Sequence, residues 1–266
     1  MVLATNAQQI RRHILNMVFK ASAAHVGSSF SIVEILAVLY FSILKIDPQN
    51  PREPNRDIFV LSKGHAVAAL YATLAERGFF DKTELNKFCQ DGSKIAGHVI
   101  KDSFPGIEVT AGSLGHGLAI TNGLALANKN NERKFFCLLG DGECNEGAVW
   151  EAAMFGAQHD LSKLVAIVDV NNQQGLGETE KIINNSRLSS RWAAFGWEVK
   201  EADGHNIKEL AAVFDYFINK KNKSPSVLLA HTIKGKGVSF MENNIAWHYK
   251  NPNAEEYRLA LNELSK

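Results

Sequence analysis

The sequence predicts an α/β fold with a mainly parallel sheet flanked by helices. Three observations carry that expectation. Short apolar runs without polar alternation occur at 58–61, 135–139, 164–168 and 227–229, the pattern of strands buried on both faces. Ala-rich helical stretches at 118–127 and 149–158 stand between them, in a βαβ rhythm. Two central runs end in polar, turn-forming residues, Gly140-Asp141-Gly142 and Asp169-Val170-Asn171-Asn172.

Taken in order, Thr5 and Gln8 form a capping-box pattern before an amphipathic helix with Ile10, Ile14, Leu15 and Val18. Ser31 and Glu34 repeat it before Ile35, Leu36, Leu39 and Tyr40. A loop with Pro48, Pro51 and Pro54 leads into the first strand, and a helix is expected near His65. A further strand is expected at 197–199, before the loop Asp203-Gly204-His205-Asn206. The Pro-rich loop is the one candidate boundary, and residues 1–266 read as a single domain.

The chain has 266 residues, 29 Lys+Arg against 28 Asp+Glu, and a formal charge of +1. That balance argues against a nucleic-acid or polybasic membrane surface. Three cysteines without a CxxC pair argue against a disulfide framework or zinc knuckle. The N-terminus lacks the apolar core of a signal peptide, and no long apolar window predicts a membrane span. A cytoplasmic protein is the expectation.

In an open α/β sheet, ligands bind beyond the carboxyl ends of the strands. Glycines flanking Asp141 let backbone approach a ligand and free N–H groups for an anion. Asp141 offers a carboxylate and Asn171 a neutral carbonyl oxygen. With one backbone carbonyl they would leave room in an octahedral Mg2+ shell for diphosphate oxygens and water. Either turn alone is ordinary; the pair at two strand ends with a helix between is not.

Gly140-Asp141-Gly142, then 28 residues, then Asn171-Asn172 resembles the thiamin diphosphate signature. Further stretches resemble the transketolase family. They are Ala24-His25-Val26-Gly27, Leu61-Ser62-Lys63-Gly64-His65-Ala66, Gly97-His98, the run from Pro105 to Gly115, Gly140 to Gly147, and Trp247-His248.

The resemblance implies thiamin diphosphate with Mg2+ (or Ca2+ or Mn2+) as cofactors. Asp141, Asn171 and the carbonyl of Gln173 are the implied metal ligands. Gly142, His65 and His248 are expected at the diphosphate, and Gly112, Ser113, Leu114, Glu143 and Asn171 elsewhere around the cofactor. His25, His98 and His248 are expected around the reacting carbon and hydroxyls, with Glu146 completing the catalytic group at the contact between subunits. Histidine suits proton shuttling on sugar hydroxyls near neutral pH.

His13, His159 and His205 read as structural, Cys144 as a packing residue, and Lys234-Gly235-Lys236-Gly237 as a flexible basic loop or a Gly-rich stretch similar to that of split members. His116 is left outside the site. Two positions depart from the family pattern, Tyr249 after His248 and Val26 after His25. They bear on donor or acceptor preference rather than on cofactor binding.

Complete transketolases carry a second domain that supplies the cofactor-activating glutamate, and a third. This chain therefore resembles the N-terminal subunit of a split transketolase. The implied reaction is transfer of a two-carbon ketol unit from a ketose to an aldose, as sugar phosphates. The implied partner is a C-terminal subunit in an α2β2 assembly. The alternatives are a split enzyme of a specialised sugar pathway and a non-catalytic subunit. A nicotinamide enzyme is disfavoured, because Gly140-Asp141-Gly142 is followed by Asn145 where a GxGxxG fingerprint needs glycine.

Overall fold

The computed structural model describes residues 2–265. Five strands form one parallel sheet in the order β1-β2-β3-β7-β6: β1 (Ile58–Leu61), β2 (Phe135–Gly140), β3 (Leu164–Val170), β6 (Glu198–Asp203) and β7 (Ser226–His231). A two-stranded antiparallel hairpin, β4 (Gln173–Gln174) and β5 (Gly177–Glu178), follows β3. Phe135 pairs with Ile58 on one side and with Leu164 on the other. All the expected strands are present, and those at 135, 164, 197 and 227 run one or more residues further.

Strand side chains alternate between two cores, as the pleat requires. Phe59, Leu61, Phe136, Leu138, Val165, Ile167 and Leu228 face one core. It is covered by α1 (Val2–Ala21), α2 (Val26–Phe30), α3 (Val33–Val38), α4 (Val67–Arg77), and, from the C-terminal half, α9 (Ile207–Asn219) and α10 (Ala254–Glu263). Ile58, Val60, Phe135, Cys137, Leu139, Ala166 and Val168 face the other, under α5 (His116–Ala127), α6 (Gly147–Gln158) and α8 (Leu188–Ala194). The short α7 (Thr179–Ile182) closes the hairpin. Apolar runs without alternation thus reflect a sheet buried on both sides. Among the described residues no helix is long and apolar enough to cross a membrane.

Both expected capping boxes are corrected. Helix α1 begins at Val2, so Thr5 lies inside it; nothing in Val2-Leu3-Ala4 breaks a helix, and Leu and Ala favour one. The second helix is split, with α2 and α3 separated at Ser31 and Ile32 and α3 continuing into a π-helical turn, Leu39–Ile43. Ser31 and Glu34 are buried polar groups with long-range partners, and burial without partners is the larger cost. A capping box does form at α10, from Asn253 and Glu256.

Glu34 joins four segments. It makes a two-pronged pair with Arg11 of α1 (2.6 and 2.7 Å) and accepts from His205 Nδ1 (2.9 Å). Arg11 Nε donates to Lys236 O (2.9 Å), and His205 Nε2 accepts from the Ile233 N–H (2.8 Å). His205 is therefore structural and holds the segment that carries Lys234. Burial alone would raise the Glu34 pKa, but Arg11 and then His205 outweigh it and hold the carboxyl at about 2, against 4.5 when free.

The sign of the pH effect follows. This contribution is fully present above about pH 4.5 and is lost as the pH falls towards 2. It amounts to on the order of 3 kcal/mol over that interval. Urea midpoints measured from pH 6 to pH 3 are expected to fall less steeply for Glu34→Gln than for the wild type. Parallel profiles would contradict this assignment.

Candidate functional site

The carboxyl ends of β1, β2, β3 and β7 open onto a cavity of about 720 Å³. Its base is Asp169 at the end of β3, fully buried. Asp169 accepts from Lys63 Nζ (2.6 Å), Ser31 Oγ (2.8 Å) and Asn171 Nδ2 (2.7 Å), and from Thr232 Oγ1. Burial pushes its pKa up, but the Lys63 charge overrides that and holds it below the usual range. Lys63 is 1% exposed and also donates to Ser28 O (3.0 Å).

Asp141 sits one strand away, in the turn after β2. Its Oδ1 accepts from the Gly142 N–H (2.8 Å), and its Oδ2 from the Asn172 N–H (2.8 Å) and Thr179 Oγ1 (3.1 Å). Burial and the nearby Asp169 raise its pKa to about 6, so this carboxylate favours a cation beside it. Asn171 has its amide nitrogen fixed on Asp169 and its Oδ1 accepting from the Gln173 N–H (3.1 Å). The Gln173 carbonyl faces Lys234 Nζ (3.4 Å). Among the described residues no three His, Cys, Asp or Glu side chains form a metal cage; Asp141 is accompanied by neutral oxygens.

Four histidines ring the cavity. The His25 ring lies 5.2 Å from His65, 6.1 Å from His98 and 5.0 Å from His248. Burial, then His98 and Lys234, lower the His25 pKa to about 4; burial, then Lys234, lower that of His248 to about 3. His65 is also driven well down, by burial first. These three rings are neutral near pH 7, fit to accept or donate a hydroxyl proton. His248 Nδ1 faces Lys234 Nζ at 3.1 Å, which leaves Nε2 to carry the proton. His25 has a left-handed backbone (φ 72°), a sparsely allowed conformation without glycine. Its N–H donates to His248 O (3.0 Å).

Gly112 and Leu114 line the cavity. Ser113 does not: its exposed hydroxyl turns to His116 Nδ1 (3.3 Å). Glu143 is buried, and its carboxylate accepts from the Gly115 N–H (2.9 Å), the Gly140 N–H (3.1 Å) and Ser62 Oγ. It ties three loops together rather than presenting a free oxygen. Glu146 is exposed at the rim, beside Gly115. Cys144 is fully buried, as expected of a packing residue, and His13 pairs with Glu76 (3.0 Å).

The donor set fits a metal–diphosphate pair. Burial and Lys63 depress the Lys234 pKa to about 8, so an anion beside it would relieve the repulsion. Asn145 Nδ2, Gln173 Oε1 and Gln174 Nε2 are buried along the cavity wall with no hydrogen-bond partner. Unmet buried polar groups cost free energy until a ligand satisfies them. A side chain at Gly142 would meet Gln174 Cγ at 2.7 Å, so only glycine keeps that approach open.

Sequence reasoning missed Lys63, Asp169 and Lys234. The first two were signalled, each a charge set directly in or after an apolar strand. Lys234 stands in the stretch read as a flexible basic loop; that reading is corrected, since the side chain is 1% exposed and reaches the cavity.

Residues 3–264 match the family described as transketolase, thiamine diphosphate binding domain. One of the two subunits of an apulose-4-phosphate transketolase from Phocaeicola vulgatus is 42% identical over 99% of this chain and 94% of its own length. A 6-deoxy-6-sulfo-D-fructose transketolase subunit from a Clostridium species is 41% identical, over 99% and 96%. The solved transketolase of Leishmania mexicana superposes with a TM-score of 0.93 at 26% identity. That match covers 99% of this chain, which spans about two-fifths (41%) of the solved one.

Proposed function

The chain belongs to the transketolase family, and from that premise we propose that residues 1–266 act as one diphosphate-binding domain, the N-terminal subunit of a two-chain transketolase. The observation that carries the reading is the pairing of Asp141 and Asn171 with buried, unpartnered polar groups around one cavity. Asp141, Asn171 and the Gln173 carbonyl would hold Mg2+. Gly142, His65, His248 and Lys234 would hold the diphosphate. Gly112 and Leu114 would border the rings, and Glu143 keeps their loop in place. When bound, thiamin diphosphate supplies the electron sink that ketol transfer needs. His25, His98 and His248 position and exchange protons with the sugar hydroxyls, His25 and His248 as neutral bases. The site lies on rigid strand ends, which fixes these groups relative to one another.

A partner chain with the pyrimidine-binding half would supply the activating glutamate. One surface supports such a partner. Helices α5 and α6 leave Ile120, Leu126, Met154 and Phe155 exposed beside the rim residue Glu146. An obligate interface in an α2β2 assembly would exceed ~2,000 Å² and cover such a face. We place the enzyme in the cytoplasm, in keeping with its three free cysteines.

The names of the two relatives favour a specialised sugar donor as the second reading. Purified alone with thiamin diphosphate and Mg2+, the chain is expected to show no ketol transfer, and activity is expected when the partner is added. Robust turnover by this chain alone would sink the two-chain reading. A panel of ketose donors on the complex separates the general from the specialised enzyme.

A further inference from the structure

Gly175, after the second residue of β4, is not among the glycines with a left-handed backbone. Its conformation therefore does not demand glycine. Space does: a Cβ there would lie 2.6 Å from the Tyr249 hydroxyl and 3.3 Å from His248 Nε2. Both residues line the cavity. The Tyr249 ring stands edge-on to His248, centroids 4.7 Å apart. Its backbone is set by the preceding 3-10 turn, anchored by the buried Trp247, whose Nε1 donates to Phe240 O (3.1 Å). The phenol is thus held at the cavity mouth over the one wall position without a side chain, and its hydroxyl has no hydrogen-bond partner among the described residues.

His248 is turned inward to Lys234, whereas Tyr249 is 63% exposed. A sugar whose reacting carbon lies among the four histidines must extend its remaining carbons outward, past Tyr249. We propose that Tyr249 is a specificity residue, whose hydroxyl contacts a hydroxyl of the sugar beyond the two-carbon unit, and that Gly175 is the complementary void that lets it stand there. A phenol both donates and accepts, and a site built to bond a hydroxyl rejects substrates that do not present one. This rests on the functional reading above.

The test uses the assembled two-chain enzyme, its fastest donor, and three acceptors: glycolaldehyde, D-erythrose 4-phosphate and D-ribose 5-phosphate. Tyr249→Phe is expected to lower kcat/KM for the longer acceptors, relative to glycolaldehyde, by about tenfold, the scale of one lost hydrogen bond to substrate. Gly175→Ala, which displaces the hydroxyl without removing it, is expected to shift the ratio in the same direction, and the double variant to go no further. Calorimetric titration with thiamin diphosphate plus Mg2+ is expected to give the wild-type affinity for Tyr249→Phe. A ratio unchanged within twofold, or an equal loss on all acceptors with weakened cofactor binding, overturns the proposal alone. A wild-type complex that turns over no sugar overturns the functional reading and this proposal with it.

Discussion

Asp141→Asn is expected to weaken metal-dependent binding of thiamin diphosphate by at least a hundredfold while the fold persists. The substitution keeps the shape and one acceptor for the Gly142 and Asn172 N–H groups but removes the charge. Loss of an outer partner of a metal site already costs roughly 10–100-fold, and loss of the only carboxylate among the proposed ligands should exceed that. A hundredfold is about 2.8 kcal/mol. The cofactor-free protein behaves oppositely. There the Asp141 carboxylate is disfavoured by burial and by Asp169, so removing its charge relieves repulsion and offsets part of any lost hydrogen bonding. Calorimetric titration with and without Mg2+, alongside melting temperatures of the cofactor-free proteins, reads both effects. Unchanged affinity would remove Asp141 from the metal site; a collapsed melting temperature would make it a folding residue instead.

Lys63→Met carries the second large effect, and it falls on stability. Lys63 and Asp169 are a buried pair, 2.6 Å apart, with side chains 2% and 0% exposed. Breaking such a pair by removing one partner leaves an uncompensated buried charge and costs about 3–5 kcal/mol. The remaining donors from Ser31, Asn171 and Thr232 soften this but carry no formal charge. Adding Asp169→Asn to Lys63→Met removes the stranded charge and is expected to restore much of the loss. Urea unfolding of the wild type, both single variants and the double gives the coupling energy. A loss below about 1 kcal/mol for Lys63→Met, far under the range for a broken buried pair, or a double variant no better than the single, would show that the pair is not what stabilises the strand ends.

The parts of this molecule that the sequence reveals are those governed by local pattern. The apolar runs of β1, β2 and β3 read directly as strands because a doubly covered sheet leaves no polar position to confuse them. The Gly140-Asp141-Gly142 and Asn171-Asn172 turns read as a site because they stand where those strands stop. What stayed hidden depends on partners far along the chain. Ser31 and Glu34 match a helix-start pattern, yet they bond Asp169 and Arg11, and no local rule predicts that competition. The β4–β5 hairpin has strands of two residues, too short for any periodicity to mark. Lys234 in a run of lysines and glycines reads as solvated, and only the fold shows it folded inward against His248. Glu143 was expected at the cofactor by its place in the motif. Its carboxylate instead knots the loops of β1, β2 and α5, a role visible only once those loops are side by side.

The hydrogen bond from the His25 N–H to the His248 carbonyl has a consequence for biosynthesis. It joins a residue made early in translation to one made near the end, and it holds the early one in a left-handed backbone that it would otherwise relax from. The histidine ring therefore closes only after nearly the whole chain has left the ribosome. Cofactor capture is then a late event, and a nascent or truncated chain ending before Trp247 would have the strand ends and the metal residues but an open vessel around them.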